Sequence, residues 1–223
     1  MPIKLPAMKN NFCCIFDFDS TLVAIETLDF LIANTAKNHA SEIEEVTKLA
    51  MGGKMTFADS LRLRFASANF EKSDVEKLKE EICNHITQGF AEFFAELKNF
   101  DFYIISGGFL EIIYPVAKKF NIPKEHCFAN EFRYEGNKIT GFDEKNIMAQ
   151  NGGKPKIVAE ILKKNPYEKI FMIGDGYTDL EVSKAIPEVI FCGFGAHATR
   201  ESVKKEAQNF FYDVASLKKF ILS

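Results

Sequence analysis

Residues 12–21 read FCCIFDFDST, an apolar run that leads directly into two aspartates, Asp17 and Asp19. The run predicts a buried central strand, because a strand that is covered on both faces is apolar almost throughout. Two carboxylates at the end of a buried strand are costly unless something binds them. A hard cation with oxygen ligands, at the C-terminal edge of a sheet, accounts for both. The sequence therefore predicts a cation site at the end of the first strand.

The composition bounds the size and class of the protein. A chain of 223 residues, 47% of them apolar, predicts one large domain, or one domain with a modest insert. The 23 phenylalanines and the lack of tryptophan predict that phenylalanine dominates the aromatic packing. A net charge of −3 gives no reason to expect nucleic acid or an anionic membrane as a partner. No apolar run is long enough to span a bilayer.

Cysteine usage indicates the compartment. The five cysteines contain no CxxC pair, which favours buried, reduced thiols. The N-terminus lacks the apolar stretch of a signal peptide, so we expect a cytoplasmic protein. The sequence leaves open whether the protein is a monomer or a homodimer.

Further β-rich apolar runs occur at residues 102–105, 169–173 and 189–192. Helical patterns lie between them, and this alternation predicts an α/β fold with a doubly wound parallel, Rossmann-like sheet. Residues 24–84 show helical periodicity without a convincing strand, which predicts a helical cap inserted after the first strand. The predicted domains are a discontinuous catalytic core of residues 1–23 and 85–223 and a cap of residues 24–84. Such a cap would sit above the C-terminal ends of the strands, where ligands bind.

Three local patterns carry more specific expectations. The first strand is expected to reach residue 18, and residues 127–142 have the pattern of a β-hairpin. A helix is expected to run to about residue 120. Pro115 should kink that helix or end it early, because proline lacks the amide proton that a helix interior needs.

Polar signals stand at four of the predicted strand ends or helix starts. They are Asp17 with Asp19, residues 106–108 (Ser-Gly-Gly), Lys154, and Asp175 with Asp179. In a doubly wound sheet these positions meet at one edge. Mg²⁺ is usually held by one or two carboxylates together with water and phosphate oxygens. The carboxylates therefore predict a Mg²⁺ site for a small phosphorylated substrate.

The remaining polar groups suit the phosphate itself. The Ser106 hydroxyl and the amides of Gly107 and Gly108 can hold phosphate oxygens, and Lys154 adds a fixed positive charge. Two carboxylates at i and i+2 also fit a two-step reaction. One attacks phosphorus, while the other protonates the leaving alkoxide and then deprotonates the incoming water. The residue pattern thus predicts metal-dependent phosphoryl chemistry.

These motifs resemble those of the haloacid dehalogenase-like phosphatase superfamily, and further motifs resemble its phosphoserine phosphatase family over about residues 12–215. The superfamily motifs are DFDST at 17–21, SGG at 106–108, Lys154 and GDGYTD at 174–179. The family motifs are AMGG at 50–53, FAN at 128–130, GFD at 141–143, GGK at 152–154 and GFG at 193–195. The resemblance implies Mg²⁺-dependent hydrolysis of O-phospho-L-serine to L-serine and phosphate, the last step of serine biosynthesis.

The resemblance also implies a role for each catalytic residue. Asp17 would be the nucleophile and a metal ligand. Asp19 would be the general acid and base, with its backbone carbonyl on the metal. Asp175 would be the remaining direct protein ligand of the metal, and Asp179 would orient the metal shell or Lys154.

The same resemblance implies that residues of the cap recognise the substrate. Glu26 would meet the substrate ammonium group. Arg64 would pair with the substrate carboxylate, a bidentate task that suits a guanidinium group. Met51 and Gly52 would line the substrate pocket, and Thr178 would contact the substrate or its phosphate.

The sequence departs from the family pattern near the recognition residues. Ala24 and Ile25 stand where the family often has a charged pair, and His197 stands where it usually has asparagine. Arg200 follows at the expected spacing and would help to close the cap. Two alternatives use the same chemistry: another small phosphorylated metabolite as substrate, or phosphoryl transfer to a hydroxyl acceptor. A non-catalytic binding protein on a phosphatase scaffold is disfavoured, because every catalytic position is filled.

Overall fold

The computed structural model describes residues 11–35, 40–66 and 70–223 of the chain. Its strands are β1 Phe12–Phe16, β2 Phe100–Phe109, β3 Cys127–Asn130, β4 Phe132–Glu135, β5 Lys138–Phe142, β6 Lys169–Gly174, β7 Val189–Phe194 and β8 Asn209–Phe211. Within the described residues, six strands form one sheet in the order β3-β2-β1-β6-β7-β8, and every pairing in it is parallel. Strands β4 and β5 form a separate antiparallel pair. The predicted parallel α/β fold is confirmed.

Helices surround this sheet. They are α1 Thr27–Thr35, α2 Ala40–Met51, α3 Phe57–Ala66, α4 Lys72–Glu81, α5 Phe90–Glu96, α6 Leu110–Lys119, α7 Gly153–Lys164, α8 Tyr177–Ala185, α9 Glu201–Glu206 and α10 Val214–Ile221. The first five lie between β1 and β2 in the chain, and we call α1 to α4 the inserted helical segment. None of the helices in the described ranges is long and apolar enough to cross a membrane.

The side chains of β1 alternate between two buried clusters. Cys14 and Phe16 pack with residues of α5, α6 and α10, whereas Cys13 and Ile15 pack with residues of α7, α8 and α9. Strand β1 is therefore covered on both faces, which explains its continuous apolar run. Phenylalanine dominates the first face, as predicted, and the ring of Phe94 lies 5.3 Å from that of Phe16.

The position of β1 in the sheet determines where a ligand-binding crevice forms. Strand β1 pairs with β2 on one side and with β6 on the other, so the direction of strand order reverses there. A crevice opens at such a switch point, at the C-terminal ends of the strands. The residues that follow β1 and β6, and those at the end of β2, therefore meet at one place.

The stretch of chain that enters the inserted segment and the stretch that leaves it lie next to each other. Val23 forms an antiparallel bridge with Ile86, and the Thr87 amide donates to the Leu22 carbonyl at 2.9 Å. This paired neck lies next to the limits expected for the cap, and the division into core and cap stays a prediction. Residues 1–10, 36–39 and 67–69 of the predicted domains lie outside the described residues.

The first strand is shorter than expected. It ends at Phe16 instead of residue 18, because Asp17 caps a short helical turn that begins at the next residue. The Asp17 carboxylate accepts a hydrogen bond from the Phe18 amide at 2.6 Å. Ser20 in this turn has a φ of 51°, in the left-handed region, so Asp17 and Asp19 do not follow the alternation of a strand.

Two other local expectations are wrong only in part, since the helix does reach Lys119, close to the expected residue 120. Residues 127–142 do not form one hairpin, because Cys127 is buried in the main core and β3 joins the main sheet beside β2; only β4 and β5 form the hairpin. Helix α6 continues past Pro115 to Lys119. Ile113 and Val116, on either side of the proline, are fully buried, and this burial outweighs the loss of one helical hydrogen bond.

Phenylalanines also join the helical segment to the hairpin. The ring of Phe65 in α3 lies 5.1 Å from that of Phe142 and 6.2 Å from that of Phe132. Phe132 in turn stacks on Phe109 with 3.8 Å between ring centroids. Helix α3, which carries Arg64, is thus packed against the end of β2.

Candidate active site

A buried lysine joins two carboxylates at the sheet edge. Lys154 lies in the first turn of α7 and is 4% exposed. Its Nζ lies 2.7 Å from Asp17 Oδ2 and 2.5 Å from Asp179 Oδ1. Burial by itself lowers the pKa of Lys154, but the charges of Asp17 and Asp179 outweigh burial and raise it. Lys154 is therefore a permanent cation fixed beside Asp17.

A third buried carboxylate, Asp175, follows β6 directly. Its Oδ2 accepts a hydrogen bond from Arg200 Nε at 3.1 Å, and its Oδ1 accepts one from Thr21 Oγ1 at 3.4 Å. Burial, followed by the charge of Glu26, raises the pKa of Asp175 well above its usual range. A bound cation would favour the ionised form of this group.

Asp17, Asp175 and Asp179 form a candidate metal centre, in which one carboxylate oxygen from each lies within 4.8 Å of the others. All three are buried, and burial, followed by the charge of Asp17, raises the pKa of Asp179 to about 7. Hard oxygen donors with excess negative charge fit a hard divalent cation. Asp179 is also held by Lys154 and accepts a hydrogen bond from the Gly176 amide at 3.0 Å. Asp179 therefore lies beside Lys154, and its supporting role stays a prediction.

Asp19 occupies different surroundings from Asp17. Its Oδ1 accepts a hydrogen bond from the Thr27 amide at 3.1 Å, at the start of α1. Its Oδ2 lies 3.3 Å from the point where a Cβ on Gly108 would be. Burial, followed by the charges of Glu26 and Asp17, raises the pKa of Asp19 well above its usual range. A carboxyl group that keeps its proton near neutral pH can act as an acid.

The Ser-Gly-Gly segment lies at the C-terminal end of β2, before α6 begins. Ser106 is buried, and its Oγ accepts a hydrogen bond from the Gly108 amide at 3.0 Å. Asn130 Nδ2 donates to the Gly107 carbonyl at 2.8 Å. A Cβ on Gly107 would lie 2.5 Å from the ring of Phe57, so glycine is needed for this ring to lie over the segment.

Glu26 and Arg64 both have partners within the protein. Glu26 Oε1 accepts hydrogen bonds from Ser20 Oγ and from Arg200 Nη2, each at 2.8 Å. Arg64 is 4% exposed, and its Nη1 lies 3.3 Å from Asp29 Oδ1. Burial raises the pKa of Glu26, while the charges of Arg200 and, more weakly, Arg64 oppose that rise. The structure thus brings the two predicted recognition residues within electrostatic range of each other.

Met51 and Gly52 lie where the helical segment meets the core. Met51 Sδ lies 3.1 Å from the point where a Cβ on Gly176 would be. The Gly52 carbonyl accepts a hydrogen bond from Ser202 Oγ at 3.1 Å. Thr178, at the start of α8, lines a cavity of ≈310 Å³ between the helical segment and the core. Met51 and Gly52 therefore lie against core residues near the start of α8, and their place in a substrate pocket stays a prediction.

Comparison with known proteins identifies the family. The haloacid dehalogenase-like hydrolase model matches residues 14–184. The phosphoserine phosphatase of Rattus norvegicus is 37% identical over 217 residues, which cover 94% of this chain and 95% of the relative. That of Methanocaldococcus jannaschii is 32% identical over 190 residues, covering 82% and 87%. The chain belongs to the phosphoserine phosphatase family of haloacid dehalogenase-like hydrolases.

Solved structures in this family have the same fold. A phosphoserine phosphohydrolase-like protein from Francisella tularensis has a TM-score of 0.85 and 32% identity, covering 96% of this chain and 100% of that one. A substrate-bound phosphoserine phosphatase has a TM-score of 0.77 and 28% identity, covering 93% and 97%. Divalent-metal chemistry is general among phosphatases of this family, and the buried aspartate cluster fits it.

Several residues of this phosphatase site were not assigned a role from the sequence. Phe57, Asn130 and Asp29 belong to this group, since their contacts form only between segments distant in the chain. Asp29 carried a signal that could have been used, because it lies three residues after Glu26 and such residues share a helix face. His197, at a departure from the family pattern, contacts Thr87 Oγ1 at 2.8 Å in the neck.

Proposed function

We propose that the chain is a Mg²⁺-dependent phosphomonoesterase that hydrolyses O-phospho-L-serine to L-serine and phosphate, the last step of serine biosynthesis. One observation carries this proposal. Arg200 contacts both Glu26 and Asp175, so the candidate ammonium-binding residue and the candidate metal centre lie beside the same guanidinium group. The phosphoserine phosphatases at 32–37% identity support the same assignment.

In the proposed reaction, the Asp17 carboxylate attacks phosphorus, and the bond from phosphorus to the serine oxygen breaks. Asp19, whose raised pKa keeps its proton available, protonates the leaving alkoxide. Asp19 then deprotonates a water molecule, which attacks the phosphoryl group on Asp17 and releases phosphate. Lys154 and Ser106 stabilise the charge on the phosphoryl oxygens.

Mg²⁺ would be held by the carboxylates of Asp17 and Asp175 and by the backbone carbonyl of Asp19, with Asp179 in support. When bound, it supplies positive charge that offsets repulsion between the phosphate and the Asp17 carboxylate. The chain contributes the rest of the electrostatic environment. Lys154 stays charged beside Asp17, so this cation is already in place before substrate arrives.

The substrate would be recognised by the helical segment. Glu26 would bind the ammonium group and Arg64 the carboxylate. Together they would recognise both charged groups of an α-amino acid. Met51 and Gly52 would line the pocket, and Thr178 would contact the phosphate region. The site residues come from one chain, so we propose a monomer or homodimer, and the free cysteines suit the cytoplasm.

A second candidate function keeps the chemistry and changes the substrate. Glu26 and Arg64 already form ion pairs with Arg200 and Asp29, so a substrate without an ammonium or carboxylate group would leave neither charge without a counter-ion. Another small phosphorylated metabolite therefore remains an alternative. Phosphoryl transfer to a hydroxyl acceptor is a further one, because an alcohol could replace water in the second step.

Phosphate release with Mg²⁺ tests these candidates directly. O-phospho-L-serine should exceed p-nitrophenyl phosphate, which lacks both the ammonium and the carboxylate group, in kcat/KM by roughly 100-fold, and should exceed O-phosphoethanolamine, which lacks only the carboxylate, by roughly 10-fold. Equal kcat/KM values would contradict the substrate assignment while leaving the chemistry intact. A new phosphoester in the presence of glycerol, in place of free phosphate, would favour transfer. No phosphate release from any substrate would contradict the phosphatase reaction itself.

A further inference from the structure

Helix α3 carries two buried polar atoms that lack a partner. Arg64 Nε and Ser60 Oγ have no hydrogen-bond partner within the described part of the chain. Ser60 is 0% exposed and Arg64 is 4% exposed, so bulk water does not replace the missing partners. Buried donors are rarely left unpaired, because the loss of hydration is not compensated. Two such atoms on one helix indicate a ligand that supplies acceptors.

The two residues are placed to act together. Ser60 and Arg64 are four residues apart, and side chains at i and i+4 lie on the same face of a helix, one turn from each other. The helix begins at Phe57, whose ring lies over Gly107 in the predicted phosphate-binding segment. The face that carries Ser60 and Arg64 therefore belongs to a helix that is fixed against the candidate phosphate site.

The contact between Arg64 and Asp29 leaves part of the guanidinium group available. Asp29 Oδ1 contacts Arg64 Nη1, whereas Nε has no acceptor. A guanidinium group has five donors in a planar arrangement and can bind a second acceptor without losing the first. The acceptor that fits best is a carboxylate, because it is planar, carries negative charge and has two oxygens.

We propose that Ser60 and Arg64 form one carboxylate site, in which Ser60 Oγ donates to one carboxylate oxygen of the substrate and Arg64 Nε to the other. This inference rests on the proposed hydrolysis of an α-amino-acid phosphate and adds a specificity residue to it. The simpler arrangement for Ser60 is a bond from its hydroxyl to the Thr56 carbonyl one turn earlier, which already accepts the Ser60 amide at 3.1 Å. In that arrangement Ser60 would have no effect on the substrate.

The test compares O-phospho-L-serine with O-phosphoethanolamine, which has hydrogen in place of the carboxylate. Ser60→Ala should raise KM for phosphoserine about tenfold with little change in kcat, and should leave kcat/KM for phosphoethanolamine within about twofold. Ser183→Ala is the matched control. It removes another helical hydroxyl, whose Oγ donates to the Leu180 carbonyl at 3.0 Å, and should change neither substrate.

A double-mutant cycle with Arg64→Lys adds an independent measurement, because lysine lacks the Nε donor. The effect of Ser60→Ala on phosphoserine should shrink in the Arg64→Lys background, since both residues hold the same carboxylate. Unchanged discrimination in Ser60→Ala, or an equal loss on both substrates, would overturn the inference while the proposed function stands. Equal kcat/KM for both substrates in the wild type would overturn the carboxylate site and the substrate assignment together.

Discussion

The candidate site has two halves: a core half around Lys154 and its carboxylates, and a cap half on the inserted helical segment. They differ in how many of their buried polar atoms have a hydrogen-bond partner. In the core, Lys154 is held between Asp17 and Asp179. In the helical segment, Arg64 pairs with Asp29, but its buried Nε and the Ser60 hydroxyl have no hydrogen-bond partner among the residues that the structure describes. The charges of Lys154, Asp17 and Asp179 are thus already paired with one another in this structure. The difference supports the proposal that the core carries out the reaction and that the cap chooses the substrate.

Asp17→Asn should have the largest effect of any single change. The amide cannot attack phosphorus, so kcat should fall by ~10⁴-fold or more for phosphoserine and for p-nitrophenyl phosphate alike. Steady-state kinetics on both substrates checks this. Asp143→Asn is the control, because Asp143 pairs with Arg133 at the surface. Substantial activity in Asp17→Asn would assign the nucleophile to another residue.

Lys154→Met should come next. Loss of a preorganised cation at the developing charge should lower kcat by roughly 10²–10³-fold on every substrate. Because Lys154 forms its ion pairs with two core carboxylates, the ratio of kcat/KM between phosphoserine and phosphoethanolamine should not change. A changed ratio would mean that the core also selects the substrate.

Asp29→Asn tests the cap half through stability. The substitution leaves the buried Arg64 charge without its carboxylate, so the free energy of unfolding should fall by about 1–3 kcal/mol. Urea denaturation measures this fall. Glu44→Gln provides a control in the helical segment, since Glu44 pairs with Lys48 in solvent and its loss should matter little. Similar losses for both variants would contradict a special role for the buried pair.

The smallest predicted effect is a pH-dependent response to Mg²⁺. Burial raises the folded-state pKa of Asp179 from 3.8 to about 7 and also raises that of Asp175, so the metal-free folded state holds protons that the unfolded chain releases. These groups therefore destabilise the metal-free protein as pH rises through that range. Mg²⁺ should raise Tm by a few degrees more at pH 8 than at pH 5.5, because protons compete with the metal. An equal or larger shift at pH 5.5 in a thermal melt would contradict this.

The core half could be predicted from the sequence because its residues follow strands. The apolar runs fix the strands, and topology then brings Asp17, residues 106–108 and Asp175 to one edge. Resemblance to a known family supplied the roles of Glu26 and Arg64, which residue patterns alone did not give.

Other features depend on contacts between distant segments, which no local pattern encodes. The ring of Phe57 over Gly107 and the contacts of Arg200 with Glu26 and Asp175 form across 25 to 174 positions. Local rules failed where tertiary burial outweighs them. Helix α6 continues past Pro115 for that reason, and β3 joins the main sheet instead of the hairpin.

The division between reaction and substrate choice is tested most directly by a variant that combines Glu26→Gln with Arg64→Lys. Its kcat/KM should be measured on O-phospho-L-serine and on p-nitrophenyl phosphate, with Mg²⁺ present. We predict that the preference for phosphoserine falls from roughly 100-fold to near unity, while activity on p-nitrophenyl phosphate stays within a few-fold of the wild type. A proportional loss on both substrates would contradict this division between core and cap.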